Sequence, residues 1–188
     1  MTDPDSATRH IYLARHGRTA LNAEGRLRGL ADPELDPAGI AEAKHLAQSL
    51  ASKTFSLVLS SPLQRATRTA AIIAETADVP HRADARLTDR DYGPWTGHRT
   101  EDVLTQWGMI DDAPGVESVQ HVLERVLPAL DAIVDETRSV VIVTHDAVIR
   151  PIITSIEPTE PSPAVPTASW SELTRTNGHW HIVSTDQH

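Results

Sequence analysis

What constrains this chain most is the alternation of short apolar runs with helical-period stretches along its 188 residues. HIYLAR at 10–15 is short enough for a buried strand, and SVVIVT at 139–144, rich in β-branched residues, suits a central parallel strand. Between them, Asp36 before Pro37 reads as an N-cap and first helical residue, and Ile40, Ala43, Leu46, Ala47 and Leu50 recur at helical spacing as far as Ala51. A second strand is expected at 56–60, after which Ser61-Pro62 repeats the start signal ahead of an Ala-rich helix at 63–77. This order predicts an α/β fold, a three-layer α/β/α sandwich with a largely parallel central sheet. Ligands in such sheets sit beyond the carboxyl ends of the strands, so chemistry is expected in the loops after Arg15, Ser60 and Thr144.

The second half continues the pattern less evenly. From 81 to 115 Gly and Pro punctuate the chain and only 101–107 reads as helix, so residues 92–118 are expected to form a lid-like insertion. Helical period returns over 119–136, with Pro128 expected to kink it, and 148–155 reads as a short helix. Four prolines between Pro158 and Pro166 make a stiff loop beside a site. Strands at 169–175 and 179–184, joined at Asn177-Gly178, predict a C-terminal hairpin. The length fits one domain over 1–188, able to bury about 70% of its unfolded surface, with residues 1–9 expected to be disordered.

Charge and composition then remove whole classes of function. Seventeen Lys and Arg against 26 Asp and Glu give a net charge of -9, which argues against nucleic-acid and anionic-membrane partners. With no Cys there can be no zinc–thiolate site, iron–sulfur cluster, disulfide or cysteine nucleophile. The polar, acidic start lacks a secretory signal and no apolar run reaches about 18 residues, so a cytoplasmic protein is expected. The oligomeric state stays open, a homodimer included.

Against the acidic background, Arg15, Arg18, Arg26 and Arg28 make one region locally positive. Arg15-His16-Gly17 opens the first strand-end loop, placing an imidazole beside a guanidinium and a residue that tolerates close backbone approach. His145 opens the third loop, and Arg65 falls in the first turn of the helix after the second. Two His and two Arg thus converge on one face, which fits an oxyanion.

LARHGRTALN, SSPLQRATRTA, LTDRDYGPWTG, PGVES and VTHDAVIR, in this order and spacing, resemble the histidine phosphatase superfamily in its phosphoglycerate-mutase-like branch. The resemblance covers residue 10 to the end. It implies that His16 attacks phosphorus to form a phosphohistidine, that Arg15, Arg65 and His145 hold the phosphoryl oxygens, and that Thr19, Asn22, Arg26 and Arg28 surround the substrate. It also implies that no metal or other cofactor is needed, since cationic side chains can do the work of magnesium. The general acid is expected at Asp89, where the family commonly has Glu. Asp146, directly after the second His as in the acid-phosphatase and phytase branch, is the alternative donor and otherwise a substrate-binding residue or helix N-cap. Arg18, Arg28 and Thr96 stand where Glu, Gln and Glu are common.

These residues lead to a metal-independent phosphatase acting on a small phosphorylated metabolite. The alternatives are a phosphoglycerate-mutase-type transfer and a catalytically weak phosphate- or phosphoprotein-binding module. The segment from Asp89 to His145 is short and lacks the paired Arg and Pro run that mutases of the family carry, which favours hydrolysis.

Overall fold

The computed structural model describes residues 8–158 and 163–188. The expected disorder at 1–7 and part of the proline loop lie outside them. Strand β1 (Arg9–Arg15) opens inside the segment expected to be disordered, because Arg9 is tied to the carbonyl of Val134 and to Asp135. Helix α1 (Ala20–Ala23) is a single turn, and α2 (Pro37–Ser49) begins as expected, with Asp36 Oδ1 accepting from the Gly39 N–H at 2.7 Å. Strand β2 (Val58–Ser60) precedes α3 (Gln64–Ala77). The cap of α3 differs from the expectation at Ser61: Leu63 is the N-cap, and Asp32 Oδ1 takes the free N–H of Gln64 at 2.6 Å.

Strand β3 (His81–Ala83) corrects the reading of 81–115, in which 101–107 was the one regular element expected. It is a three-residue, mostly exposed edge strand, too short and too polar for alternation to show. Helix α4 (Thr100–Trp107) lies within the 92–118 segment, and α5 (Val119–Glu136) runs through Pro128 as one helix. Strand β4 (Ser139–Thr144) leads directly into α6 (Asp146–Ile156), which starts two residues before the expected helix and has His145, not Asp146, at its N-cap. Strands β5 (Trp170–Thr176) and β6 (His179–Gln187) form the expected hairpin around Asn177 and Gly178, both at positive φ.

The six strands form one sheet in the order β3-β2-β4-β1-β5-β6, parallel across the first four and antiparallel at β5 and β6. Alternation sorts the strand residues between two cores. Ile11, Leu13, Val140 and Ile142 pack with residues of α5 and α6 such as Val126, Leu130 and Ile149. Tyr12, Ala14, Val141 and Val143 pack on the other face against Ala43 and Leu46 of α2 and Ala70 and Ile73 of α3. Helices on both faces of the sheet give the three layers. Among the described residues no helix is long and apolar enough to cross a membrane.

Candidate active site

Strand register brings the two site histidines together. β1 and β4 are parallel with Arg15 opposite Thr144, so the residues that leave the sheet next are His16 and His145. The His16 N–H donates to the Thr144 carbonyl at 3.1 Å, and the two rings lie 5.1 Å apart between centroids, tilted by 58°. Both side chains have no exposed surface. Gly17 then passes so close to α2 that a Cβ there would lie 2.4 Å from the Gly39 carbonyl oxygen. The glycine is therefore needed for contact with a neighbouring helix, and its own N–H donates to Thr69 Oγ1 at 3.1 Å.

The tautomer of His16 follows from its partner. Nδ1 lies 2.6 Å from the Gly17 carbonyl oxygen, which can only accept, so Nδ1 carries the proton and Nε2 presents a lone pair. Burial, followed by the charges of Arg65 and Arg15, holds the His16 pKa well below the ordinary histidine value. Burial and Arg65 do the same at His145. Both imidazoles are neutral at pH 7, as a nitrogen nucleophile must be.

Arg65 comes from the first turn of α3 and is completely buried. Nη1 donates to the Ala31 carbonyl at 2.8 Å, and Nη2 donates to the Gly29 carbonyl at 2.9 Å and to Asp89 Oδ2 at 2.8 Å. Asp89 is 1% exposed, accepts the Arg90 N–H on Oδ1 at 2.8 Å, and places Oδ2 3.5 Å from His145 Nδ1. Burial raises its pKa and outweighs the lowering by Arg65, which favours a carboxyl that holds a proton. Its backbone is anchored at both ends of the approach: Thr144 Oγ1 donates to the Leu87 carbonyl at 2.7 Å, and Arg125 Nη2 to the Asp89 carbonyl at 3.1 Å.

Asp146 has the opposite electrostatics. Burial would raise it, but Arg15, Arg28 and Arg150 prevail and hold its carboxyl below the ordinary range. Arg28 Nη2 donates to Oδ1 at 3.0 Å, and Arg15 Nη1 lies 3.8 Å from Oδ2. Arg15 also donates from Nη1 to the Val165 carbonyl at 2.5 Å, tying the end of β1 to the loop before β5.

Arg15, His16, Arg28, Arg65, Asp89, His145 and Asp146 are thus gathered in one place. Thr19, Asn22 and Arg26 make bonds with one another and with loop groups: Thr19 caps α1 with its hydroxyl 2.8 Å from Asn22 Oδ1, and Arg26 bonds Glu24 at 2.6 Å and the Gly97 carbonyl at 2.8 Å. Sequence reasoning missed Thr69, whose hydroxyl donates to the Arg65 carbonyl at 2.8 Å while accepting from Gly17. Its spacing of four from Arg65 on one helix was the available signal. Asp32, Arg90 and Arg125 act through the backbone and left no pattern.

Six of the nine buried side-chain nitrogens without a hydrogen bond among the described residues belong to this cluster: Nε of Arg15, Arg28 and Arg65, Nε2 of His16 and both ring nitrogens of His145. Unsatisfied buried groups cost about 1–3 kcal/mol each. Five cationic or imidazole side chains with nitrogens buried and unbonded in this way have the chemistry to receive a compact, oxygen-rich anion.

Comparison with known proteins agrees with this geometry. The model of the histidine phosphatase superfamily (branch 1) matches residues 11–187, and the chain belongs to that family. Phosphoryl transfer through a phosphohistidine is general to it. A 2,3-bisphosphoglycerate-dependent phosphoglycerate mutase of Methylobacterium sp. is 37% identical over 135 residues, 64% of this chain and 65% of the mutase, so the match spans just under two thirds of that relative's length. Phosphoserine phosphatase 1 of Hydrogenobacter thermophilus is 31% identical over 74% of this chain and 72% of its own. In structure, a phosphoglycerate mutase from Bacillus anthracis superposes with a TM-score of 0.87 over 97% of this chain and 95% of that one, at 22% identity, a likeness of fold.

Proposed function

We propose that the protein is a phosphatase that hydrolyses a small phosphate monoester without a metal, through a phosphohistidine on His16. The observation that carries this reading is His16 Nε2, left free to present its lone pair by the bond from Nδ1 to Gly17, in a cluster where Nε of Arg15 and Arg65 and the ring nitrogens of His145 are buried without a hydrogen bond. Nε2 forms the bond to phosphorus while the ester P–O bond breaks, and the leaving oxygen takes the proton of Asp89. Arg15, Arg65 and His145 hold the non-bridging oxygens as charge spreads over them. Water then attacks phosphorus, gives a proton to Asp89 and releases inorganic phosphate, which restores His16. Asp89 is favoured over Asp146 as donor because its environment favours the protonated form, whereas Asp146 is ionised by the arginines around it.

Hydrolysis is favoured over mutase transfer by the segment between Asp89 and His145. Arg90 and Arg125, which could have held a second acidic group, are committed to Asp111 and to Glu117. A small phosphorylated metabolite is the expected partner. A panel of about a hundred phosphorylated metabolites, run with His16→Ala as the blank, tests the proposal. Inorganic phosphate should appear with the wild type alone, and acid-labile phosphate should be trapped on His16 on rapid quenching. Phosphate trapped on another residue, or turnover that survives His16→Ala, would overturn it.

A further inference from the structure

The loop that carries His16 is pressed against the start of α2. A Cβ on Gly39 would lie 2.0 Å from the Arg18 carbonyl oxygen and 2.7 Å from the Arg18 nitrogen, so glycine there lets helix and loop backbones touch. The Asp36 N–H donates to the Arg18 carbonyl at 3.1 Å, and one turn beyond Gly39 the half-buried Glu42 accepts the Arg18 N–H on Oε2 at 2.8 Å.

That N–H and the Gly17 carbonyl belong to one peptide group. Its oxygen accepts from His16 Nδ1 at 2.6 Å while its N–H is held by the Glu42 carboxylate. The two ends of a trans peptide point in opposite directions, so the unit joins carboxylate to imidazole through two hydrogen bonds in series. A carboxylate drawing on the N–H shifts electron density onto the carbonyl oxygen and makes it a stronger acceptor. The Arg18 guanidinium does not cancel that charge: its Nε is bonded to Asp36 Oδ2 at 2.9 Å, and no cation pairs with Glu42 among the described residues.

We infer that Glu42 is a positioning residue for His16: through the Gly17–Arg18 peptide it holds the Nδ1 proton and stabilises the ring when phosphorus is bound. In the transfer, the Nε2 lone pair forms the N–P bond as the ester P–O bond breaks, and Nδ1 keeps its proton, so the ring becomes cationic. When water takes the phosphoryl group, the N–P electron pair returns to Nε2 and the ring is neutral again. The hold on the proton concerns the imidazole alone, whereas the stabilisation of the intermediate rests on the phosphatase reading above.

The Nδ1 proton of His16 is observed by NMR in isotope-labelled wild type, Glu42→Gln and Asp36→Asn, and assigned by its loss in His16→Asn. Glu42→Gln keeps an acceptor for the Arg18 N–H but removes the charge, so the signal should move upfield. Asp36→Asn neutralises a carboxylate on the same loop outside this relay and should leave the signal in place. Single-turnover rapid quench with p-nitrophenyl phosphate should show phosphohistidine forming about three- to tenfold more slowly in Glu42→Gln. Its breakdown should not be slowed, since departure of the phosphoryl group discharges the ring, whereas a residue that merely props the loop would slow both steps. Glu42→Ala, which suits a helix, carries both measurements if Glu42→Gln does not fold. An Nδ1 signal unmoved by loss of the carboxylate, or formation and breakdown slowed in parallel, would overturn the assignment. A wild type that traps no phosphohistidine would instead overturn the phosphatase reading, and the Nδ1 signal would still decide whether Glu42 grips the ring.

Discussion

Mild acid should destabilise this protein through two residues in particular. His16 and His145 are wholly buried, and burial together with nearby arginine charge keeps their folded-state pKa values well below the ordinary one. In the unfolded chain each titrates near the usual value of about 6.5. Below that pH the unfolded state binds protons that the native state refuses, so stability falls as pH drops through about 6.5 and keeps falling until the depressed native values are reached. Integrating this linkage from pH 7 to pH 5.5, with both imidazoles neutral throughout in the native state, gives at most about 1 kcal/mol for each histidine, or about 2 kcal/mol for both. In a domain of this size that is a Tm decrease of at most roughly 4–8 °C. Asp89 acts in the opposite sense, since its raised pKa contributes stability at low pH that is lost as pH rises through the raised value, but it is common to wild type and variants. The assay is urea unfolding at pH 7.0 and 5.5 for the wild type, His16→Asn and His145→Gln. Each variant should show a smaller pH-dependent decrease than the wild type, by up to about 1 kcal/mol, whatever its stability at pH 7. Equal decreases in all three proteins would refute the claim that the imidazoles are held neutral.

Two further outcomes follow from the same geometry. Asp89→Asn should slow hydrolysis of an alkyl phosphate about 10²- to 10⁴-fold while affecting p-nitrophenyl phosphate, whose leaving group needs no proton, far less; a uniform loss on both esters, or the selective loss appearing in Asp146→Asn instead, would remove Asp89 from the donor role. Gly17→Ala should lower the unfolding free energy by about 1–3 kcal/mol, because its Cβ would meet the Gly39 carbonyl oxygen at 2.4 Å, and an unchanged denaturation midpoint would contradict that contact.

The parts of this molecule visible in its sequence are those built from apolar periodicity and chain punctuation. SVVIVT gave its strand to the residue, and Asp36-Pro37 and Asn177-Gly178 marked a helix start and a hairpin where they occur. From those bounds the strand ends at Arg15 and Thr144, and hence the pairing of His16 with His145, could be anticipated. Features decided by tertiary contact were hidden. His81–Ala83 is a strand only because β2 offers it an edge, and α3 is capped by a carboxylate 32 residues away, at Asp32. The contrast between Asp89 and Asp146 was hidden too, since it depends on which arginines each carboxylate faces and on how far each is from water.

The strand that leads into His16 is flanked on both sides, by β4 in parallel and by β5 in the antiparallel sense, and beyond its end the Ala168 N–H still bonds the His16 carbonyl at 3.1 Å. A backbone stitched along both margins resists shear, so the imidazole of His16 is held in a stationary position to which any ligand must align itself. Adaptation to new esters therefore falls to the connecting segments above the sheet, which can be exchanged without disturbing the reacting centre.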